Sequence, residues 1–182
     1  MQRRSNQLAI DFLQTQLVYA CKAKDMTAMN TVDENGWLVL HHALKDNIPL
    51  GSIKLLVKGN SSAVRVMDNC FALPLHIACA FTSVNVVKYL VDLDEDTLDY
   101  VDANNNSPLH CACWGGNCNI VKYLVEANAS LVSKRNNDND LAIHLLLECG
   151  KEILDRDSLE YVETVWQLLL ANPEVIRDFM PH

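Results

Sequence analysis

The sequence predicts an all-α repeat solenoid, in which short helix pairs stack side by side. The first observation is a regular series of histidines, His41, His76, His110 and His144, separated by 35, 34 and 34 residues. The second is a polar turn before each histidine block: DENG, DNCF, DANN and NNDN. The third is a second apolar segment after each block. A fixed period of roughly 20 to 50 residues indicates stacked repeats, because one unit is too small to bury its own apolar face.

Each unit is predicted to contain a turn, a first helix, a loop and a second helix. The first helices read LVLHHAL, LPLHIAC, SPLHCAC and LAIHLLL, and the second read SIKLLV, NVVKYLV, NIVKYLV and TVWQLLL. Apolar residues at i, i+3 and i+4 are typical of amphipathic helices. The predicted buried stripe of the first helices includes Leu75, Ala78 and Cys79, repeated as Leu109, Ala112 and Cys113.

Two segments carry a specific family resemblance. DNCFALPLHIA from Asp68 to Ala78 and DANNNSPLHCA from Asp102 to Ala112 resemble ankyrin repeats. The units around His41 and His144 match more loosely. The resemblance implies stacked antiparallel helix pairs with short β-hairpin or loop tips, and binding through the tips and first helices.

The resemblance divides the chain, residues 1–182, as one domain. Repeats are expected at 33–67, 68–101, 102–135 and 136–172. Residues 1–32 are expected to form an N-terminal cap, with one longer covering helix over 6–24. Residues 173–182 form either a C-terminal cap or the start of a further connection.

Local residue choices fit this plan at the start of the first helices. Pro74 and Pro108 suit a first helical turn, where the missing N–H would be unpaired anyway. Ser107 is a suitable N-cap, whose hydroxyl can accept from the backbone N–H near His110. The equivalent Leu38, Leu73 and Leu141 cannot cap in this way, and we expect them to pack between units.

The tips of the turns carry Gly36, Phe71, Asn105 and Asn139. Glycine and asparagine tolerate a positive φ, whereas a bulky residue does not. We therefore expect the turn at Phe71 to be of a different type. The recurring histidines are expected to form hydrogen bonds between neighbouring loops, as the resemblance also implies.

The cysteines and acidic runs do not indicate a metal or catalytic site. On a helix, Cys111 and Cys113 lie about 200° apart, so they cannot join His110 and Cys118 around one zinc ion. Adjacent His110 and Cys111 do not face each other as a base and nucleophile would. The runs 92–103 and 136–147 lack the Gly and Glu of a calcium loop. We expect no metal, no cofactor and no enzymatic activity.

Charge and composition exclude further classes of function. The net charge is −8 with a pI near 5.1, which argues against nucleic-acid binding and favours a neutral or basic protein partner. No apolar stretch is long enough to span a bilayer, and we expect no membrane partner. Seven cysteines form no even disulfide framework. We expect a soluble protein in the cytoplasm, with the nucleus as the alternative location.

The leading functional hypothesis is a protein–protein interaction module that binds its partner through the concave face. The resemblance places the contact residues at Glu34, Asn35, Trp37, Lys45, Asp46, Asn69, Cys70, Ala72, Phe81, Asn104, Asn106, Trp114, Asn137, Asp138, Asp140 and Glu148. Trp37, Phe81 and Trp114 either form binding hot spots on this face or fill gaps between units. Alternative functions are a regulatory or targeting segment of a larger enzyme or signalling protein, and a thiol sensor using Cys70, Cys118 or Cys149.

Overall fold

A computed structural model describes residues 30–153, 159–173 and 175, apart from the side chains of 149–153. The described residues contain eight α-helices. They are α1 Val39–Lys45, α2 Leu50–Gly59, α3 Pro74–Phe81, α4 Val84–Leu93, α5 Pro108–Trp114, α6 Cys118–Ala127, α7 Ala142–Ile153 and α8 Leu159–Ala171. Short 3-10 helices follow the first three pairs at Ser61–Arg65, Glu95–Asp99 and Ala129–Ser133. The covering helix expected over 6–24 lies outside the described residues.

The helices stack in two rows, which confirms the all-α repeat solenoid. First helices α1, α3, α5 and α7 contact one another in sequence, as do second helices α2, α4, α6 and α8. The described residues contain no β-strand, and the tips are turns with one isolated antiparallel bridge between Arg135 and Leu141. The β-hairpin form of the tips is therefore not present there.

One continuous apolar core runs through the stack. Cys79 and Cys113 are fully buried in it, as their place on the apolar stripe of the first helices predicts. Each large aliphatic side chain that leaves water contributes about 1.5–3 kcal/mol to stability. Because both rows share this core, neighbouring repeats stabilise each other.

Every described tip is held by one side-chain oxygen. In the second repeat, Asp68 Oδ1 accepts from the backbone N–H of Cys70 at 2.8 Å and of Ala72 at 2.9 Å. The same pair of bonds occurs at Asp33, Asp102 and Asn136. An Asp or Asn side chain that accepts from its own turn fixes the turn locally.

The expectation for Phe71 was wrong. Phe71 has φ of 58°, close to 61° at Asn105 and 67° at Asn139. Its N–H donates to the carbonyl of Asp68 at 2.9 Å, which is the bond that closes the other tips. Asp68 and the contacts to neighbouring tips therefore impose the left-handed conformation on a phenylalanine, at a cost of roughly 1–2 kcal/mol.

The start of each first helix is organised by its histidine. The ring Nδ1 accepts from the backbone N–H three residues earlier, at 2.9–3.2 Å, in all four repeats. The donors are Leu38, Leu73, Ser107 and Leu141. Pro74 and Pro108 occupy the first helical position, as predicted. The three leucines are buried, with 1–2% of their surface exposed.

The hydrogen bond that all four histidines share, from a backbone N–H to the ring Nδ1, thus joins two residues of the same repeat. The expected bond between neighbouring loops occurs at His110, whose Nε2 lies 3.1 Å from the carbonyl oxygen of Asp140. The buried Nε2 atoms of His41 and His76 meet no hydrogen-bond partner among the described residues. The Ser107 hydroxyl lies 2.8 Å from His110 Nδ1, so it joins the same local network.

Candidate protein-binding groove

A groove of about 510 Å³ lies between the tips and the first helices. The tips and the residues that follow them contribute Trp37, Ala72, Asp102, Asn104, Asn106, Asn136 and Asp138. The first helices contribute Lys45, His76, Ile77, Ala80, Phe81, His110, Cys111, Trp114 and Leu145. The groove therefore draws residues from all four repeats onto one surface.

The groove brings together only part of the contact set predicted from the sequence. Predicted residues that line it are Trp37, Lys45, Ala72, Phe81, Asn104, Asn106, Trp114 and Asp138. Predicted residues outside its lining are Glu34, Asn35, Asp46, Asn69, Cys70, Asn137, Asp140 and Glu148. Several of the latter connect neighbouring tips instead of facing the groove.

A ladder of backbone hydrogen bonds joins the tips. The N–H groups of Asn69, Ala103 and Asn137 donate to the carbonyls of Asn35, Cys70 and Asn104 at 2.8–3.0 Å. The Asn69 side chain adds a bond of 2.8 Å to the carbonyl of Glu34, and the Asn137 side chain adds one of 3.1 Å to that of Ala103. The ladder holds one edge of the groove in a single arrangement before any partner binds.

Sequence reasoning missed the groove residues that directly follow each histidine. Ile77, Cys111 and Leu145 occupy this position in the second, third and fourth repeats. In a helix, residues i and i+4 share a face, so Ile77 lies on the same side as Phe81. That spacing was visible in the sequence, whereas the participation of His76, His110, Asp102 and Asn136 depends on how the repeats stack.

Trp37 connects two repeats. Its indole Nε1 donates to Asp68 Oδ2 at 3.0 Å, and its ring stacks on His41 with the centroids 6.2 Å apart. The ring of His42 meets it edge-on at 5.1 Å. Of the two roles predicted for this tryptophan, the structural one accounts for most of its surroundings.

Phe81 and Trp114 form an aromatic cluster together with Lys45. The two rings meet edge-to-face with centroids 5.8 Å apart, and Lys45 Nζ lies 3.5 Å above the centroid of Phe81. The cation on the Phe81 face is a favourable arrangement because the ring face is electron-rich. Trp114 remains 49% exposed and offers the largest accessible apolar surface in the groove.

The charges in the groove lining are two carboxylates and one ammonium group. Asp102 Oδ1 accepts two backbone N–H groups, and its Oδ2 lies 3.1 Å from Asn106 Nδ2. The carboxylate of Asp138 has no hydrogen-bond or ion-pair partner within the described residues. Burial lowers the pKa of His76 and His110, so both rings are neutral at pH 7.

The described thiols in and near the groove differ in their exposure. Burial raises the pKa of Cys111 to about 12, although this residue lines the groove. Cys118 is buried, whereas Cys70 is exposed. The side chain of Cys149, the third candidate for a thiol sensor, lies outside the described residues. In the part of the chain described, no three His, Cys, Asp or Glu residues are grouped to hold a metal ion.

Comparison with known proteins supports the repeat architecture. A family model described as ankyrin repeats, three copies, matches residues 8–96 and 40–135, which together span 8–135. No curated protein shows significant sequence similarity to the chain. None of the described helices has the length and apolar character needed to cross a membrane. The sequence match and the stacked helix pairs place the chain in the ankyrin-repeat family.

Proposed function

We propose that this protein is a non-catalytic adaptor that holds a neutral or basic segment of a partner protein in the groove. Ankyrin repeats are generally protein–protein interaction modules, and the family is typically non-catalytic. The observation that carries the proposal is the half-exposed Trp114 ring, packed on Phe81 at one side of a groove that also contains the free carboxylate of Asp138.

The aromatic cluster supplies the apolar part of the recognition. A tryptophan that is partly exposed and fixed by neighbours offers a large contact area with little loss of side-chain entropy on binding. Phe81 meets the Trp114 ring edge-to-face, and Lys45 lies over the face of Phe81. A partner side chain packed on the exposed surface of Trp114 would exclude water from the rings of Trp114 and Phe81.

The carboxylates supply the charge preference. Lys45 is engaged by the Phe81 ring, while Asp138 has no partner in the described residues. A lysine or arginine of the partner would pair with Asp138, and the overall charge of −8 would favour its approach. An acidic segment would meet repulsion from Asp102 and Asp138.

The experiment compares capture by the wild-type protein with capture by Trp114→Ala and Asp138→Lys variants. Each protein is immobilised on resin and incubated with cell extract. The captured proteins are quantified by mass spectrometry at low and high salt. Leu55→Ala is the matched control, because Leu55 is 43% exposed on α2 and does not line the groove. Wild type and control should retain the same proteins, and both groove variants should lose them.

The result that contradicts the proposal is equal capture by folded Trp114→Ala and wild-type proteins. Capture that does not weaken with salt would instead contradict the preference for a basic segment. As part of the same proposal, we place the protein in the cytoplasm or nucleus. This location is supported by the free thiols of Cys70, Cys79, Cys111, Cys113 and Cys118, which are typical of a reducing compartment.

A further inference from the structure

The last described helix, α8, carries a stripe of exposed apolar residues outside the groove. The members are Leu159, Val162, Trp166 and Leu170, which are 72%, 52%, 62% and 63% exposed. Their spacing of three, four and four residues places them along one face of the helix. The opposite face packs into the core through Tyr161, Thr164 and Leu168.

Hydrogen bonds at the helix ends establish which residues of the other repeats are equivalent. Asn172 N donates to the carbonyl of Leu168 at 3.1 Å, as Asn128 N donates to Leu124 and Asn60 N to Leu56, both at 2.9 Å. In the second repeat, Asp94 N donates to Leu90 at 3.3 Å. Counting from these four leucines, Trp166 occupies the position of Lys54, Lys88 and Lys122, and Leu170 that of Lys58, Asp92 and Glu126. Both positions are charged in the first three repeats and apolar in the fourth.

In the first three repeats, the lysine at this position reaches toward the following repeat. Lys54 Nζ lies 5.3 Å from the ring centroid of Tyr89, and Lys88 Nζ lies 5.3 Å from that of Tyr123. Lys122 Nζ lies 3.2 Å from Glu163 Oε2 on α8. By equivalence, Trp166 faces the side of α8 on which a further helix would stack.

We propose that this stripe, Leu159, Val162, Trp166 and Leu170, binds the same stripe of a second copy of the chain. Two α8 helices would pack antiparallel around a two-fold axis, so that each stripe covers the other. Contiguous exposed apolar surface of this kind is typical of an interaction site.

The distribution of charge on α8 favours a second copy over a basic helix from another protein. Glu160 and Glu163 are the charged residues of this helix, and Glu163 is paired with Lys122. Residues 164–171 carry no charge, so two copies can approach there without repulsion. A basic partner would find a single unpaired carboxylate, at Glu160, which is little complementarity.

The size of the stripe predicts a weak dimer. A helix of 13 residues is about 20 Å long, so one pair of such helices buries less than the roughly 1,200 Å² of a standard stable interface. The association should therefore depend on protein concentration.

Sedimentation velocity from low to high micromolar concentration tests the proposal. The test variant is Trp166→Lys with Leu170→Glu, which gives α8 the residues of α6 at these positions. The control is Leu55→Lys, another exposed apolar residue on a second helix. Wild type and control should shift from monomer toward dimer as concentration rises, and the test variant should stay monomeric throughout.

Circular dichroism verifies that the variants are folded, and the single Leu170→Glu variant replaces the double variant should the latter unfold. A wild-type protein that stays monomeric at high concentration overturns the proposal, as does a folded variant that dimerises like wild type. Acrylamide quenching is then measured on a chain in which Trp37 and Trp114 are replaced by phenylalanine, so that the fluorescence reports on Trp166 alone. Protection of Trp166 in a monomer would assign the stripe to a contact within one chain.

Discussion

The Nε2 atom of His110 lies 3.1 Å from the carbonyl oxygen of Asp140, across the junction between the third and fourth repeats. The Nδ1 atom of the same ring accepts from the backbone N–H of Ser107 at 3.2 Å. Because Nδ1 accepts, the neutral ring carries its proton on Nε2 and donates it to Asp140. Protonation of the ring would remove the Nδ1 acceptor and break the bond to Ser107.

The stability of the protein should therefore fall in mild acid. Burial lowers the pKa of His41, His76 and His110 below the ordinary value of 6.5. Above that value the rings are neutral in both folded and unfolded chains. Below it the unfolded chain binds protons first, so stability decreases by up to about 1.4 kcal/mol per pH unit for each ring until the folded pKa is reached.

Urea unfolding at several pH values between about 7.5 and 5 measures this effect. The free energy of unfolding should be nearly constant above pH 6.5 and should decline below it. A His110→Gln variant, compared at each pH, should show a smaller decline. Equal stability at about pH 7.5 and 5.5 would show that these rings titrate alike in the folded and unfolded chains.

Phe71→Asn should stabilise the protein. Asparagine occupies the equivalent tips at 105 and 139, and it adopts the left-handed conformation with less strain than phenylalanine. We expect the free energy of unfolding to rise by about 1 kcal/mol. Phe71→Ala is the control, because it removes the ring without supplying the short polar side chain that favours positive φ in asparagine. A loss of stability in both variants would show that the ring itself contributes packing.

Gly115→Ala should destabilise the protein, although Gly115 has an ordinary negative φ. An added Cβ would overlap the backbone carbonyl oxygen of Ala80 in the preceding repeat. We expect a loss of about 1–3 kcal/mol, because stacked backbones have no room to move apart. Gly51→Ala is the matched control: nothing lies within 4 Å of its added Cβ, and alanine favours the helix by up to about 1 kcal/mol. Thermal melts of the two variants should shift in opposite directions.

The thiols should differ widely in their rate of alkylation. Cys70 is exposed, whereas Cys79, Cys113 and Cys118 have 0–5% of their surface exposed. The raised pKa of Cys111, about 12 against an ordinary value of 9.0, reduces its thiolate fraction by about three orders of magnitude. Iodoacetamide labelling followed by peptide mass spectrometry should therefore modify Cys70 before Cys79, Cys111, Cys113 and Cys118, and these five cysteines should label evenly in urea-unfolded protein. Rapid labelling of native Cys111 would contradict this protonated, shielded state.

Much of the fold could be predicted from local patterns. The 34-residue period follows from the recurring histidine blocks, and the prolines at the helix starts follow from their missing N–H. The burial of Cys79 and Cys113 follows from the spacing of three and four residues on one helix. The partners of these elements could not be predicted in the same way. Asp68, for example, is visible in the sequence as a turn residue, but its bond to the Trp37 indole joins residues 31 positions apart.

The amino-acid sequence was sufficient to predict the helix pairs and a surface formed by the tips and first helices. Helix periodicity and turn chemistry act between near neighbours in the chain. Three features depended on how one repeat sits on the next: the positive φ of Phe71, the groove in which Phe81 meets Lys45 and Trp114, and the direction in which Trp166 points. Each arises from contacts between residues about one repeat apart, whose geometry follows from the rotation and spacing of the stacked units.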